Sequence, residues 1–99
     1  MLHTVNKSPL DRNTLKSCLA HAQPGSAVLL IEDGVYAALV GTSTSGMVQQ
    51  ALSQLSVYAL GPDLEARGVA KRVLDGVQVI DYAKFVDLVI EHKNTQSWL

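Results

Sequence analysis

One residue in this 99-residue sequence stands apart for its reactivity: Cys18, its single cysteine. A thiolate is the nucleophile of sulfur-transfer chemistry. It can hold a second sulfur as a persulfide and lose it when the next thiolate attacks the outer sulfur, in the manner of thiol–disulfide exchange. Leu15, Cys18, Leu19 and Ala22 fall at i, i+3, i+4 and i+7, one apolar face of a helix, with Cys18 at the edge of the stripe. His21 follows three residues later on the same flank, where its cationic form would favour a thiolate. Two considerations oppose this. Cys18 lies about two turns into the helix, beyond the reach of the field at the helix N-terminus, and cysteine is among the most commonly buried residues. Two roles therefore stand open for Cys18: persulfide carrier or packed core residue.

Other chemistries lack their residues. His3, His21 and His92 are scattered, with no metal-ligand spacing and no second cysteine, so no metal site is expected. The stretch Gly41-Thr42-Ser43-Thr44-Ser45-Gly46 is neither a dinucleotide fingerprint nor a phosphate loop and reads as a flexible connection; no cofactor is expected. No nucleophile elbow is present. Eight basic and nine acidic residues leave a net charge of −1 without a basic stripe, which argues against nucleic-acid binding. The longest apolar runs are far too short to span a bilayer, and the N-terminus lacks the pattern of a signal peptide. A lone thiol fits a reducing cytoplasm. Hydrophobic residues make up 47% and charged residues 17%, a low-charge surface that hints at area hidden against partners.

The elements that must position these residues alternate. Leu2 to Val5 reads as an opening strand, and Asn6-Lys7-Ser8-Pro9 breaks it, with Ser8 or Asp11 as candidate caps for the helix that carries Cys18. Gln23-Pro24-Gly25 ends that helix. Ala27 to Ile31 is a continuous apolar run, the mark of a buried parallel strand, and Glu32-Asp33-Gly34 closes it. Val35 to Val40 is either one or two helical turns or an extended piece. Met47 to Leu55 reads as a helix, and Ser56 to Leu60 as the third strand. Asp63 is placed to cap a short helix, Leu64 to Arg67, stopped by Gly68. Val77 to Ile80 is the fourth strand, and Asp81 caps a last helix whose Tyr82, Phe85, Val86 and Val89 share a face. Lys93 to Leu99 is a tail. Strand–helix alternation predicts one α/β domain over residues 1–99: three α/β/α layers around a mostly parallel sheet of four to five strands, with Rossmann-like topology and right-handed crossovers. Strand order 2-1-3-4 is expected by analogy with doubly wound sheets.

Five segments, in order along the whole chain, resemble the DsrH/TusB family. Leu2-His3 with Ser8-Pro9 is similar to that family's opening L-H-x-x-x-x-S-P. Val28 to Tyr36 resembles its apolar run followed by D-G-V. Tyr58 to Gly68 resembles its Y-x-L-x-x-D-L-x-A-R-G, Asp81 to Leu88 its D-Y-x-x-F-V-x-L helix, and Gln96 to Leu99 its terminal tryptophan end. Asn13 to Leu19, with Cys18, and Gly61-Pro62-Asp63 look closer to DsrH of sulfur-oxidising bacteria than to TusB, which serves 2-thiolation of the wobble uridine of some tRNAs.

The resemblance implies a DsrEFH-like fold and a subunit of a cytoplasmic heterohexamer. Its partners would be DsrE/TusD-like and DsrF/TusC-like paralogues, a TusA-like sulfur donor and a DsrC/TusE-like acceptor. The pathway it implies is sulfur oxidation, with tRNA thiolation or a purely structural role as alternatives. It also implies that the principal sulfur-accepting cysteine belongs to the DsrE/TusD subunit, so this chain is not expected to be catalytic alone. Cys18 remains the candidate carrier here, and Trp98 with Leu99 the candidate interface, since tryptophan is enriched at interface hot spots.

Overall fold

A run such as Ala27 to Ile31, apolar at every position, is stable only where both sides of a strand are covered. In a computed structural model of residues 1–99, Ala27–Leu30 is strand β2, buried along its whole length at the centre of a five-stranded sheet. Leu2–Val5 (β1) and Ser56–Leu60 (β3) flank it, and Gln78–Ile80 (β4) and Thr95–Trp98 (β5) form the edges. All neighbouring strands are parallel.

The order is β4-β3-β2-β1-β5, not the 2-1-3-4 expected from doubly wound sheets. The reason lies in the connections. Each crossover from β1 to β4 steps one strand in the same direction, so right-handedness puts all of them on one face. That face carries α1 (Thr14–His21), a 3-10 helix (Glu32–Ala38), α2 (Ser45–Ala51), α3 (Gly61–Ala66) and a 3-10 turn (Ala70–Arg72). The last crossover runs back across the whole sheet, and α4 (Tyr82–Glu91) alone lies on the other face.

Alternation along the strands sorts the core into two parts. Val5, Val28, Leu30, Val57 and Ala59 face the helix-rich side with Leu15, Cys18, Val35, Val48 and Leu64. Leu2, Ala27, Leu29, Leu60 and Ile80 face α4 and meet Leu88, with Ile31, Tyr58 and Phe85 half-buried around them.

Several local expectations shift. Helix α1 starts at Thr14; neither Ser8 nor Asp11 caps it, and the Ser8 carbonyl instead accepts from Asp11 and Arg12 N–H in a preceding turn. The segment after β2 is helical, as a seven-residue 3-10 helix, and Leu39 then bridges to Val73. Helix α3 starts at Gly61, with Pro62 in its first turn, so Asp63 lies inside the helix and is not its cap. The Gly41–Ser45 stretch is held rather than loose: the Ser45 hydroxyl donates to the Leu39 carbonyl at 2.8 Å and accepts from Thr42 N–H at 3.0 Å. Asp81 does cap α4, accepting from Lys84 N–H at 2.9 Å.

Candidate functional site

Cys18 is fully buried. It stands at the centre of the covered stripe of α1, not at its margin, with Leu15 buried beside it and Leu19 and Ala22 half-buried. The shift follows from β5. The tail that reads as unstructured is a strand paired with β1, and its Trp98 packs against the His21 ring at 5.7 Å between centroids. The sheet thus extends under the flank of α1 that helical periodicity alone leaves open. Removal from water favours the neutral thiol, and the Cys18 pKa is pushed up to about 12. At neutral pH the thiolate is then about one part in 10^5, too scarce to serve as a ready nucleophile.

His21 does not reach the thiol. Its Nδ1 lies 2.8 Å from the Ser17 carbonyl, one turn back on the same helix, and so carries the proton. The pairing of Cys18 with a thiolate-stabilising imidazole, open on spacing, is not formed here.

His3 and Trp98 meet instead. The Trp98 indole N–H donates to His3 Nδ1 at 3.0 Å, which leaves the His3 proton on Nε2. His3 is buried, and desolvation, helped by the Met1 ammonium, lowers its pKa. On the opposite face of the same strand pair the Thr4 hydroxyl donates to Ser97 Oγ at 3.3 Å. Trp98, placed on an interface by sequence, packs half-buried in its own domain, whereas Leu99 is 72% exposed. No sequence pattern pointed to the His3–Trp98 pair. Thr95 and Trp98, residue types favoured in strands, were the available sign of an edge strand in an otherwise polar tail.

The loops at the carboxyl ends of β2 and β3, where open parallel sheets bind ligands, are occupied by bonds to each other. Glu32 adopts φ +50°, and its N–H donates to Asp63 Oδ2 at 2.7 Å. Arg67 donates to Asp33 Oδ1 through Nε at 3.0 Å and a terminal nitrogen at 2.8 Å, and to the Asp63 carbonyl at 3.2 Å. The ion pair with Asp33 raises the Arg67 pKa further. Gly34 passes so close to β1 that a Cβ there would overlap the Val5 carbonyl. The D-G-V and D-L-x-A-R-G segments therefore lock the 3-10 helix to α3 and to β1, a structural task. No group of His, Cys, Asp and Glu side chains is arranged to hold a metal ion. No helix is long and apolar enough to cross a membrane.

Comparison with known proteins gives a consistent picture. Residues 7–95 match the family model described as DsrH like protein. Protein TusB of Pectobacterium parmentieri is 38% identical over 99 residues, covering 99% of this chain and all of that one. Protein TusB of Photorhabdus laumondii is 40% identical over 101 residues, and that of Escherichia coli O1:K1 / APEC 36% over 98, each with 99% of this chain and 100% of the relative covered. Among solved structures, the ychN protein from E. coli superposes with a TM-score of 0.79 at 15% identity, covering 97% of both chains. Protein MTH1491 from Methanobacterium thermoautotrophicum superposes at 0.76 and 17% identity, covering 97% of this chain and 96% of that one, and shares the fold.

Proposed function

The chain belongs to the DsrH/TusB family, and from that membership we propose that it is the interaction subunit of a sulfur-relay complex. It acts beside TusC- and TusD-like paralogues, between a TusA-like donor and a TusE-like acceptor, and leaves the persulfide to the TusD-like partner. The observation that carries this reading is the burial of Cys18, whose thiol is driven up to about 12 with no imidazole bonded to it. A relay cysteine must be met by another protein's thiolate, and Cys18 is sealed between α1 and the sheet. The names of the curated relatives favour thiolation of the wobble uridine in tRNA as the pathway. The Asn13–Leu19 segment favours the second reading, sulfur oxidation, through its likeness to the DsrH branch. In the assembly Leu99 is the part of the tail free to meet a partner, while Trp98 works from within by holding β5 in place.

The test is to purify the complex, incubate it with a persulfide donor and weigh each subunit intact. The mass of one added sulfur should appear on the TusD-like subunit and not on this chain, and the Cys18→Ser complex should pass sulfur to its acceptor at the wild-type rate. Sulfur found on Cys18 would refute the assignment. Deleting Leu99 should weaken assembly without unfolding the chain.

A further inference from the structure

At the carboxyl end of the sheet, on the helix-rich face, a cavity of about 200 Å³ lies between the segment after β1, the 3-10 helix, the turn at Thr42 and the residues after α3. Open parallel sheets bind small molecules at this end. The lining is graded. Leu39 is buried and Tyr36 and Val69 are half-buried, so the deep part is mostly apolar. Leu10, Ser43 and Arg72 are exposed and form the mouth. No carboxylate lines the cavity. An adjoining cleft, which shares Pro9 and Thr44 with it, adds Arg12 and Lys16 and again no carboxylate. None of these three cations makes a salt bridge, and the Arg72 guanidinium donates only to the Val40 carbonyl, at 3.5 Å. The hydroxyls can be followed in the same way. Ser45 donates to the Leu39 carbonyl, so Thr42 donates to Ser45 and Thr44 donates to Thr42. Ser43, whose hydroxyl has no partner in the chain, is left as the free hydroxyl donor at the mouth.

Size, gradient and charge together select a ligand. An apolar cavity of about 150 Å³ holds one benzene, so this one takes roughly eight non-hydrogen atoms. The apolar depth suits a hydrocarbon tail, and an unpaired guanidinium beside a free hydroxyl suits an anionic head. One guanidinium matches one carboxylate, which it grips with two parallel hydrogen bonds. The backbone beside the cavity offers no edge to an extended peptide: Leu39 is bridged to Val73, and the Ala38 and Arg72 carbonyls accept from Leu74 and Val40 N–H. We propose that the cavity binds a free short-chain aliphatic monocarboxylate of about six carbons, with its tail against Leu39, Tyr36 and Val69 and its carboxylate on Arg72 and Ser43. The wider cleft between α3 and α4 does not suit the same ligand, because Glu65 and Asp81 line it beside Lys84. The site needs neither Cys18 nor a partner subunit, and so goes beyond the relay reading.

The experiment is titration of the full chain with sodium hexanoate, followed by amide chemical shifts in two-dimensional NMR. Saturable shifts should cluster at Tyr36, Leu39, Ser43 and Val69, with a Kd of about 1 mM for a ligand of this size. Acetate, which lacks most of the tail, and hexylammonium, which reverses the charge, should each bind weaker by roughly tenfold or more. Arg72→Gln should weaken hexanoate by roughly fivefold or more and leave hexanol unaffected, with a melting temperature near wild type because Arg72 is exposed. No saturation at about ten times the expected Kd, or shifts that cluster at Glu65, Asp81 and Lys84, overturns the site. Acetate binding as tightly as hexanoate overturns the apolar tail. Hexylammonium binding as tightly, or hexanoate binding undiminished in Arg72→Gln, overturns the carboxylate. None of these outcomes touches the relay reading.

Discussion

The indole N–H of Trp98 donates to Nδ1 of His3 at 3.0 Å, joining residues 95 positions apart and tying the last strand to the first. A protonated His3 would carry hydrogen on both ring nitrogens and lose this bond. Burial lowers the folded-state pKa below its ordinary value of 6.5, so the unfolded chain takes up the proton first. Stability is then full above that value and falls as pH drops below it. Urea midpoints at neutral pH and near pH 5 should show this loss in the wild type and a smaller one in His3→Gln. Equal losses would remove His3 from the acid response.

Cys18 gives a matching alkaline signature. Its thiol ionises near 9 when unfolded and at about 12 when folded. The stabilising difference is complete below pH 9 and is lost as pH rises through the window to about 12, on the order of a few kcal/mol in total. The informative quantity is the difference between wild type and Cys18→Ala, which isolates the thiol. The variant should start less stable and show a shallower alkaline decline. Aromatic disulfide reagents should label the native thiol only as fast as the protein opens.

Gly34→Ala should be the most damaging single methyl in the molecule. The added carbon meets the carbonyl oxygen of Val5, a backbone group in the second strand from the edge that has nowhere to retreat. A cost of about 3 kcal/mol is expected for such overpacking, read as a lower urea midpoint with an unchanged slope. Gly46→Ala, which meets open space, is the control and should be near neutral.

Asp63→Ala removes the acceptor that holds the Glu32 N–H in its left-handed conformation. The bond is charge-assisted but solvent-exposed, so a loss of about 1 kcal/mol is expected. Asp63→Asn keeps an acceptor oxygen and should recover part of it. If instead Asp63 served only as a helix cap, Glu32→Gly would be independent of it; coupling between the two substitutions in a double-mutant cycle decides the matter.

Much of this architecture is written plainly in the residues. The apolar run at Ala27, the turn residues after each strand and the cap at Asp81 all appear where their chemistry puts them. Four features were not legible, each for a physical reason. Thr95–Trp98 is polar at the positions that decide a strand, because an edge strand exposes most of its residues. The depth of Cys18 depended on that unseen strand. The shared face of Tyr82, Val86 and Val89 was legible as a stripe, but periodicity states which residues align and not what lies over them. Asp63 was assigned to the nearest helix because its true partner, Glu32, is 31 residues away.

The pairing of β5 with β1 also governs how the chain reaches its fold. Every other strand pair is joined by a short crossover, whereas β1 and β5 are held by contacts such as Thr4 to Ser97, 93 positions apart. Closing so long a segment is entropically late, since local contacts form first and distant ones follow. The sheet from β1 to β4 therefore assembles with the outer edge of its first strand unpaired. Trp98, which packs against the cluster that holds Cys18, is thus expected among the last residues to find its place, and with it the flank of the first helix closes.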